Sequence, residues 1–269
     1  MSAFPGRSIL GPLSQSAWIR PFALLVLVVV LWAAAVRVFS IPAYLIPKPF
    51  DVLMAFVTQW RELLVQTIPT ATATIGGFAL SAAIGIPLAM LIAGSRTIEA
   101  YLYPLLVFSQ SIPKVAIAPL LVVWFGFGMM PKVLTAFLLG VFPIVVASVQ
   151  GFKSVEPEMR DLIRSMKASW LQGFFTVSLP HAMPAIFSGL KVSVTLAVVG
   201  AVVGEFVGAN SGIGFVLERS IGNFELPTMF AALVILAAIG MVLFWLVDVA
   251  EKLMVPWHAS QRAEIIATA

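Results

Sequence analysis

The sequence DLIRSMK at residues 161–167, followed after nine residues by VSLP at 177–180, is the most informative stretch of the chain. It lies in a charged, helix-compatible segment, residues 153–180, between stretches that are almost entirely apolar. Charged side chains are costly in hydrocarbon. The segment therefore predicts an aqueous loop that joins membrane-spanning helices.

Composition places the whole chain in the membrane class. Of its 269 residues, 61% are hydrophobic and 10% are charged, and the mean hydropathy is +1.05. Soluble domains carry about a quarter charged residues. The chain has no cysteine and two histidines, which excludes disulfides and thiol chemistry and leaves too few histidines for a histidine-rich metal site. We expect no metal and no cofactor in this chain.

Six stretches approach the roughly 20 apolar residues that cross a bilayer. They are residues 22–39, 67–93, 101–125, 133–149, 185–207 and 229–249. Prolines and glycines in the second and third stretches free backbone groups that need partners inside a bundle. The prediction is an all-α polytopic membrane protein with six transmembrane helices in one domain, residues 1–269.

The first stretch has an alternative interpretation. Arg20 precedes it and Ala33–Ala35 lies near its end, as in a cleaved signal peptide. We favour a retained helix because the apolar run is longer than a typical signal sequence.

The distribution of basic residues predicts the orientation. With the N-terminus inside, ten basic residues face the cytoplasm and five face outside. The ten are Arg7, Arg20, Arg96, Lys153, Arg160, Arg164, Lys167, Lys191, Lys252 and Arg262, and the five are Arg37, Lys48, Arg61, Lys132 and Arg219. Six spans then place both termini and the loop 153–180 in the cytoplasm of a bacterial cell, with the chain in its inner membrane.

Periodicity within the loop predicts two short amphipathic helices. From Glu158 to Lys167 the apolar residues recur at helical spacing, and Ser169 is suited to cap a second helix, Trp170–Val177, which Pro180 would stop. The apolar stripe consists of Met159, Leu162, Ile163 and Met166. By pattern alone, such helices either dock on a partner protein or rest on lipid headgroups.

The loop resembles the cytoplasmic coupling loop of bacterial ABC importer permeases, whose pattern is E-A-A-x3-G-x9-I-x-L-P. The matching positions are Asp161, Leu162, Ile163, Val177, Leu179 and Pro180. Lys167 stands where the family has glycine, so the turn is either more helical than in the family or left-handed at a non-glycine residue. The resemblance implies that the coupling loop, Met166 and Lys167 included, docks an ATPase.

Other motifs resemble the nitrate/sulfonate/taurine group of these permeases, so that the resemblance covers roughly residues 42–258. They are Ser111–Leu120, Trp124–Gly126, Gly204–Phe206, Ser211–Gly214 and Pro256–His258. The resemblance implies a type I importer permease fold. It also implies a second permease copy as a homodimer, two cytoplasmic ATPases that bind ATP and magnesium, and an external substrate-binding protein. The chain itself has no Gly-x4-Gly-Lys-Ser/Thr phosphate loop, so we expect a non-catalytic subunit.

The substrate implied by this group is a small anionic nutrient resembling a sulfonate, taurine or nitrate, with a vitamin precursor or aromatic compound as the alternative. Lys114, a cation within the third stretch, and the neighbouring Ser109, Gln110 and Ser111 are the candidate path residues. The alternatives are a lysine that reaches the membrane interface and ordinary hydrogen bonding between helices.

Gly200, Gly204 and Gly208 form a small-residue stripe in the fifth stretch, suited to a close helix contact within one subunit or between two. Glu205 beside them is interpreted as a carboxylate at the outer interface. The deep span interiors then hold no acid, which disfavours an ion-coupled secondary transporter. The absence of a catalytic constellation disfavours a membrane enzyme.

The predicted topology is testable in this cysteine-free chain. Single cysteines placed as Ser169→Cys and Gly222→Cys are expected to react with an impermeant maleimide from opposite sides of the membrane, Gly222→Cys from outside intact cells. Labelling of Ser169→Cys from outside would contradict the assigned orientation.

Overall fold

The computed structural model describes residues 14–156, 158–159, 161, 165–167 and 169–257, and at 14–21 and 170–171 it describes only the backbone. All regular secondary structure in these residues is helical, which confirms the all-α prediction. The helices are α1 (Ser14–Val38), α2 (Pro49–Gly94), α3 (Arg96–Gln110), α4 (Ala118–Phe125), α5 (Met129–Lys153), α6 (Trp170–Gly173), α7 (Leu179–Phe206), α8 (Ile213–Gly222) and α9 (Leu226–Met254).

The described chain contains four single helices long and apolar enough to cross a membrane, or five if one bent pair counts as a span. The four are α2, α5, α9 and the run Phe174–Phe206 that contains α7. The described apolar part of α1, Phe22–Val38, is shorter than the roughly 20 residues of a typical span. The prediction of six spans is therefore not confirmed.

Helix α2 is longer than predicted. It spans 46 residues rather than only 67–93, with a non-helical residue, Gln59, in its first half. The charged pair Arg61 and Glu62 interrupts the apolar pattern there, but Glu62 forms a 2.6 Å ion pair with Arg219 of α8. The Gln59 side chain donates a 3.0 Å hydrogen bond to Thr228 of α9. Contacts with α8 and α9 thus provide partners for polar residues of α2 that the apolar pattern had left outside the predicted span.

The predicted third span, 101–125, is not a straight helix. Helix α3 and the following segment Lys114–Phe125 meet at a bend of 83°. Proline at 113 cannot donate its backbone nitrogen and disfavours helical backbone at Ile112, so the helix ends before it. The chain restarts as one 3₁₀ turn, Lys114–Ile117, before α4.

Helices α5 and α7 form the centre of the bundle, and glycines bring their backbones into contact. A Cβ atom on Gly200 would lie 2.8 Å from the Thr135 carbonyl oxygen, and one on Gly204 would lie 2.8 Å from the Lys132 Cα. A Cβ atom on Gly189 would lie 2.9 Å from the Pro143 carbonyl oxygen. Gly200 and Gly204 therefore lie in a seam within one chain.

Gly208 does not continue this stripe, and its assignment to the fifth helix is wrong. Helix α7 ends at Phe206, and Gly208 lies beyond it with a φ of +113°. A Cβ atom there would lie 2.8 Å from the Phe127 ring, which occupies the space above the residue. Gly208 thus allows the chain to turn away after the end of α7.

The seam gives a testable prediction about stability. We expect Gly200→Ala to destabilise the protein by about 1–3 kcal/mol despite the higher helix propensity of alanine, because the new methyl group meets backbone atoms of α5. The thermal unfolding midpoint of the purified protein in detergent measures this. Gly222→Ala is the control, because nothing lies within 4 Å of its Cβ position. Equal midpoints for both variants would contradict the seam.

Candidate functional site

The coupling loop connects the inner ends of the two central helices, leaving α5 after Lys153 and entering α7 at Leu179. Its described residues Met159 and Asp161 are helical, and Met159 and Met166 expose 43% and 72% of their surface. Leu162 and Ile163 lie outside the described residues. Met166 therefore faces outward, and Met159 is partly exposed beside the rest of this chain.

Lys167 adopts a left-handed backbone conformation, with a φ of +53°. Glycine reaches this region without steric cost, whereas other residues lose about 1 kcal/mol or more. Of the two alternatives for this departure from the family pattern, the structure has the left-handed turn. Lys167 therefore makes the left-handed turn that a glycine at this position would make without steric cost.

The second half of the coupling loop begins with a reciprocal cap. The Ser169 hydroxyl accepts a 3.3 Å hydrogen bond from the Gln172 backbone, and the Gln172 side chain accepts a 2.8 Å bond from the Ser169 backbone. This is a capping box, and it places Ser169 as the predicted cap.

The prediction that Pro180 stops the second helix of the coupling loop is wrong. After α6 the chain forms a π-helical turn, Phe174–Ser178, and continues directly into α7. Pro180 sits in the first turn of α7, where a missing backbone donor is tolerated. Val177, Leu179 and Pro180 are half-buried in this continuous run.

A groove runs beside the coupling loop on the same face. Two adjoining clefts of about 450 Å³ and about 400 Å³ share Pro180, His181 and Trp257 in their walls. Ser154 lines the first cleft, and Met159 lines the second. The end of α5, the start of α7 and the end of the described chain thus meet at the coupling loop.

The four candidate path residues lie together at the elbow between α3 and α4. Ser109, Gln110 and Ser111 are exposed, and Lys114 is half-buried. The Lys114 ammonium donates a hydrogen bond to the Gln110 side chain and lies 5.5 Å from the centre of the Phe142 ring. The elbow is therefore exposed at residues 109–113, while Lys114 turns back towards α5.

The end of the bundle opposite the coupling loop, the outer end, holds a buried polar network that the sequence interpretation missed. The Glu205 carboxylate is fully buried and accepts hydrogen bonds from the Thr70 hydroxyl at 2.9 Å and the Gly214 backbone at 2.7 Å. Its prediction as an interfacial carboxylate is wrong. The spacing of Glu205 six residues before Ser211-Gly212-Ile213-Gly214 was the available signal, since glycines allow a loop to fold back onto a carboxylate.

Lys132 of α5 provides the opposite charge, and it too is buried rather than exposed at the outer surface. Its ammonium lies 3.5 Å from Glu205 and donates a 2.6 Å hydrogen bond to the Ser211 carbonyl. A buried ion pair is tolerated only when further hydrogen bonds satisfy both groups. Both groups have such bonds here, so the network is a stable part of the outer bundle.

A second charged cluster lies between the middle of α7 and the last turns of α9. Lys191 of α7 pairs with Asp248 and, at 2.6 Å, with Glu251. Lys252 pairs with Asp248 at 2.9 Å. These partly exposed groups neutralise each other and join the two helices.

Comparison with known proteins gives the family. The family model described as binding-protein-dependent transport system inner membrane component matches residues 85–256, more than half of the chain. The formylaminopyrimidine transport permease ThiX of Halalkalibacterium halodurans is 35% identical over 244 residues, covering 90% of this chain and 97% of ThiX.

Two further relatives carry other substrate names. The riboflavin transport system permease RibX of Chloroflexus aurantiacus is 37% identical over 238 residues, covering 88% of this chain and 89% of RibX. The taurine transport system permease TauC of Escherichia coli is 29% identical over 260 residues, covering 92% of each chain.

The fold is also found in solved structures. A chain of the inward-facing MetNI methionine ABC transporter matches with a TM-score of 0.64 at 18% identity, covering 73% of this chain and 98% of that chain. The chain therefore has the type I importer permease fold and belongs to the family of binding-protein-dependent transport system inner membrane components, the permease subunits of ABC importers.

Proposed function

We propose that this chain forms the substrate path of a bacterial ABC importer driven by a separate cytoplasmic ATPase. The coupling loop is the observation that carries the proposal. It exposes Met159 and Met166, and both of its ends continue into the packed pair α5–α7. A push on this loop would therefore reach the centre of the bundle directly, which favours docking on a protein over resting on lipid.

The partner ATPases would supply the energy. This chain lacks a phosphate-loop motif, so ATP and magnesium would bind to two ATPase subunits and to none of its own residues. The permease contributes the path and the conformational change. In this arrangement the coupling loop and both termini face the cytoplasm.

A second copy of the chain would complete the path. The polar elbow between α3 and α4 is exposed in a single chain, and α3 has no fully buried residue. An apolar helix with an exposed polar elbow is costly against lipid on all sides. Two copies facing each other would enclose Ser109–Lys114 in a central path, and a substrate-binding protein would deliver the nutrient to its outer end.

A small anionic nutrient is the substrate that Lys114 favours. Its two contacts, Gln110 and Phe142, are neutral, so neither of them cancels the positive charge. A cation at the elbow would lower the barrier for an anion and raise it for a cation. The taurine permease among the relatives agrees with this class.

A heterocyclic vitamin or vitamin precursor is the second candidate. The formylaminopyrimidine and riboflavin permeases share 35% and 37% identity with the chain, more than the 29% of the taurine permease. For such a ring compound, Lys114 and Gln110 would act as hydrogen-bond donors instead of as an electrostatic guide.

ATPase docking can be tested at the apolar stripe. Met166→Asp would bury a charge against the ATPase, at about 2 kcal/mol, which corresponds to about thirtyfold weaker binding. We expect less ATPase to co-purify while the permease still inserts. Asn223→Asp adds the same charge in the loop between α8 and α9, away from the coupling loop, and is expected to retain the ATPase. Unchanged retention in Met166→Asp would instead favour a coupling loop that rests on lipid headgroups.

The role of Lys114 can be tested by removing its charge. Lys114→Met keeps the length of the side chain and is expected to leave assembly intact. Loss of one hydrogen bond to a charged group, about 1.5 kcal/mol, would slow uptake of an anionic substrate about tenfold.

Lys48→Met, which removes an exposed cation at the start of α2, is the control and is expected to transport normally. Taurine and riboflavin uptake in proteoliposomes distinguish the two substrate candidates. Wild-type uptake of any transported substrate by Lys114→Met would show that the elbow cation lies outside the path.

A further inference from the structure

The outer loop, residues 207–214, runs from the end of α7 into the first turn of α8 and is held by side chains from three helices. Its Gly212 and Ile213 backbone nitrogens donate 2.7 Å hydrogen bonds to Gln66 and Thr70 of α2. The Ser211 carbonyl accepts a 2.6 Å bond from Lys132 of α5. The Gly214 backbone nitrogen donates a 2.7 Å bond to Glu205 of α7, so the four consecutive residues 211–214 are all bonded to other helices through their backbones.

The Glu205 carboxylate is the centre of these bonds. It binds Thr70, Lys132 and the Gly214 backbone at once. A Cβ atom on Gly214 would lie 2.8 Å from a carboxylate oxygen, and Gly212 has a φ of +113° with no space for a side chain above it. The loop is thus shaped to close over this one acid.

The network also joins the two helices that carry the coupling loop. Lys132 lies in the first turn of α5, and Glu205 lies in the last turn of α7. The other ends of the same helices, Lys153 and Leu179, flank the coupling loop. Glycine contacts hold the two helices together between these points. The pair is therefore clamped at its outer end and joined by the coupling loop at its inner end.

We propose that Glu205 is a positioning residue that latches the outer loop, residues 207–214, to the α5–α7 pair, so that this loop moves together with the coupling loop. The proposal rests on the proposed function. The outer loop faces the side from which substrate arrives, and the ATPase acts at the opposite side. The latch connects the two sides within one chain.

A single reporter cysteine tests the latch, because the chain has no cysteine of its own. Asn210→Cys, an exposed position in the outer loop, is labelled with an impermeant maleimide in nanodiscs that hold the complex with its ATPase. We compare nucleotide-free complex with complex trapped by magnesium ATP and vanadate. With Glu205 present, the labelling rate is expected to change at least about threefold on trapping.

Glu205→Gln is expected to break this connection. The amide has one acceptor oxygen, whereas the carboxylate accepts bonds on both oxygens, so one donor loses its partner. Labelling without nucleotide should rise at least about threefold and should no longer respond to trapping, although vanadate traps the ATPase to the same extent. A purely structural role would lower the yield of complex without separating trapping from the response of the loop.

Thr70→Val removes the hydroxyl that bonds both Glu205 and the Ile213 backbone, and it decides the question if Glu205→Gln fails to assemble. Ser81→Ala is the matched control, since it removes a buried hydroxyl on the same helix that bonds the Gly77 and Phe137 carbonyls instead. The proposal is overturned if the labelling rates of the reporter are the same in Thr70→Val as in Ser81→Ala. It is also overturned if labelling does not respond to trapping when Glu205 and Thr70 are both unchanged.

Failure of the proposed function gives a different result. A chain that retains no ATPase in any variant contradicts the importer assignment at the coupling loop. The nucleotide-free labelling rates still test the latch in that case, because they depend only on whether Glu205 holds the outer loop.

Discussion

The close approach of α5 and α7 is the constraint on which the rest of the bundle depends. Lipid tails are as apolar as leucine, so membrane helices gain little from hiding apolar side chains and associate through packing and hydrogen bonds. Gly200 and Gly204 allow backbone contact over the outer part of the seam, and Gly189 does so further in. Because this contact fixes two helices, it also fixes the two ends of the coupling loop between them.

Charge is arranged around this seam according to burial. Lys132 and Glu205 are inside the protein and have a full set of hydrogen bonds, which a buried pair requires. Lys191 and its acidic partners are partly exposed and need less support. Lys114 is different, because its contacts in one chain are a neutral amide and an aromatic ring. Of these three lysines, Lys114 is the one whose described contacts include no acid, and it lies at the elbow proposed for the path.

Local sequence signals were sufficient where the structure is local. The Ser169 cap and the helical residues of the coupling loop follow from residues three or four positions apart. The bend before α4 lies at a proline that was visible in the sequence, but its 83° angle was not. Pro180 shows the opposite error, because the same residue type sits without a break in the first turn of α7. Proline alone does not distinguish a helix start from a helix stop.

The sequence alone was enough to predict that the chain is helical, that it lies in a membrane, and that a charged loop follows Lys153. These properties follow from composition and periodicity, and the loop is identified by its resemblance to the coupling loop of importer permeases. The three-dimensional structure was needed to show that Glu205 is buried beside Lys132 and that α2 begins at Pro49. Glu205 binds Thr70, and in the first half of α2 Glu62 pairs with Arg219 and Gln59 binds Thr228. These partners are distant in sequence, and whether a polar group can leave water depends on such partners.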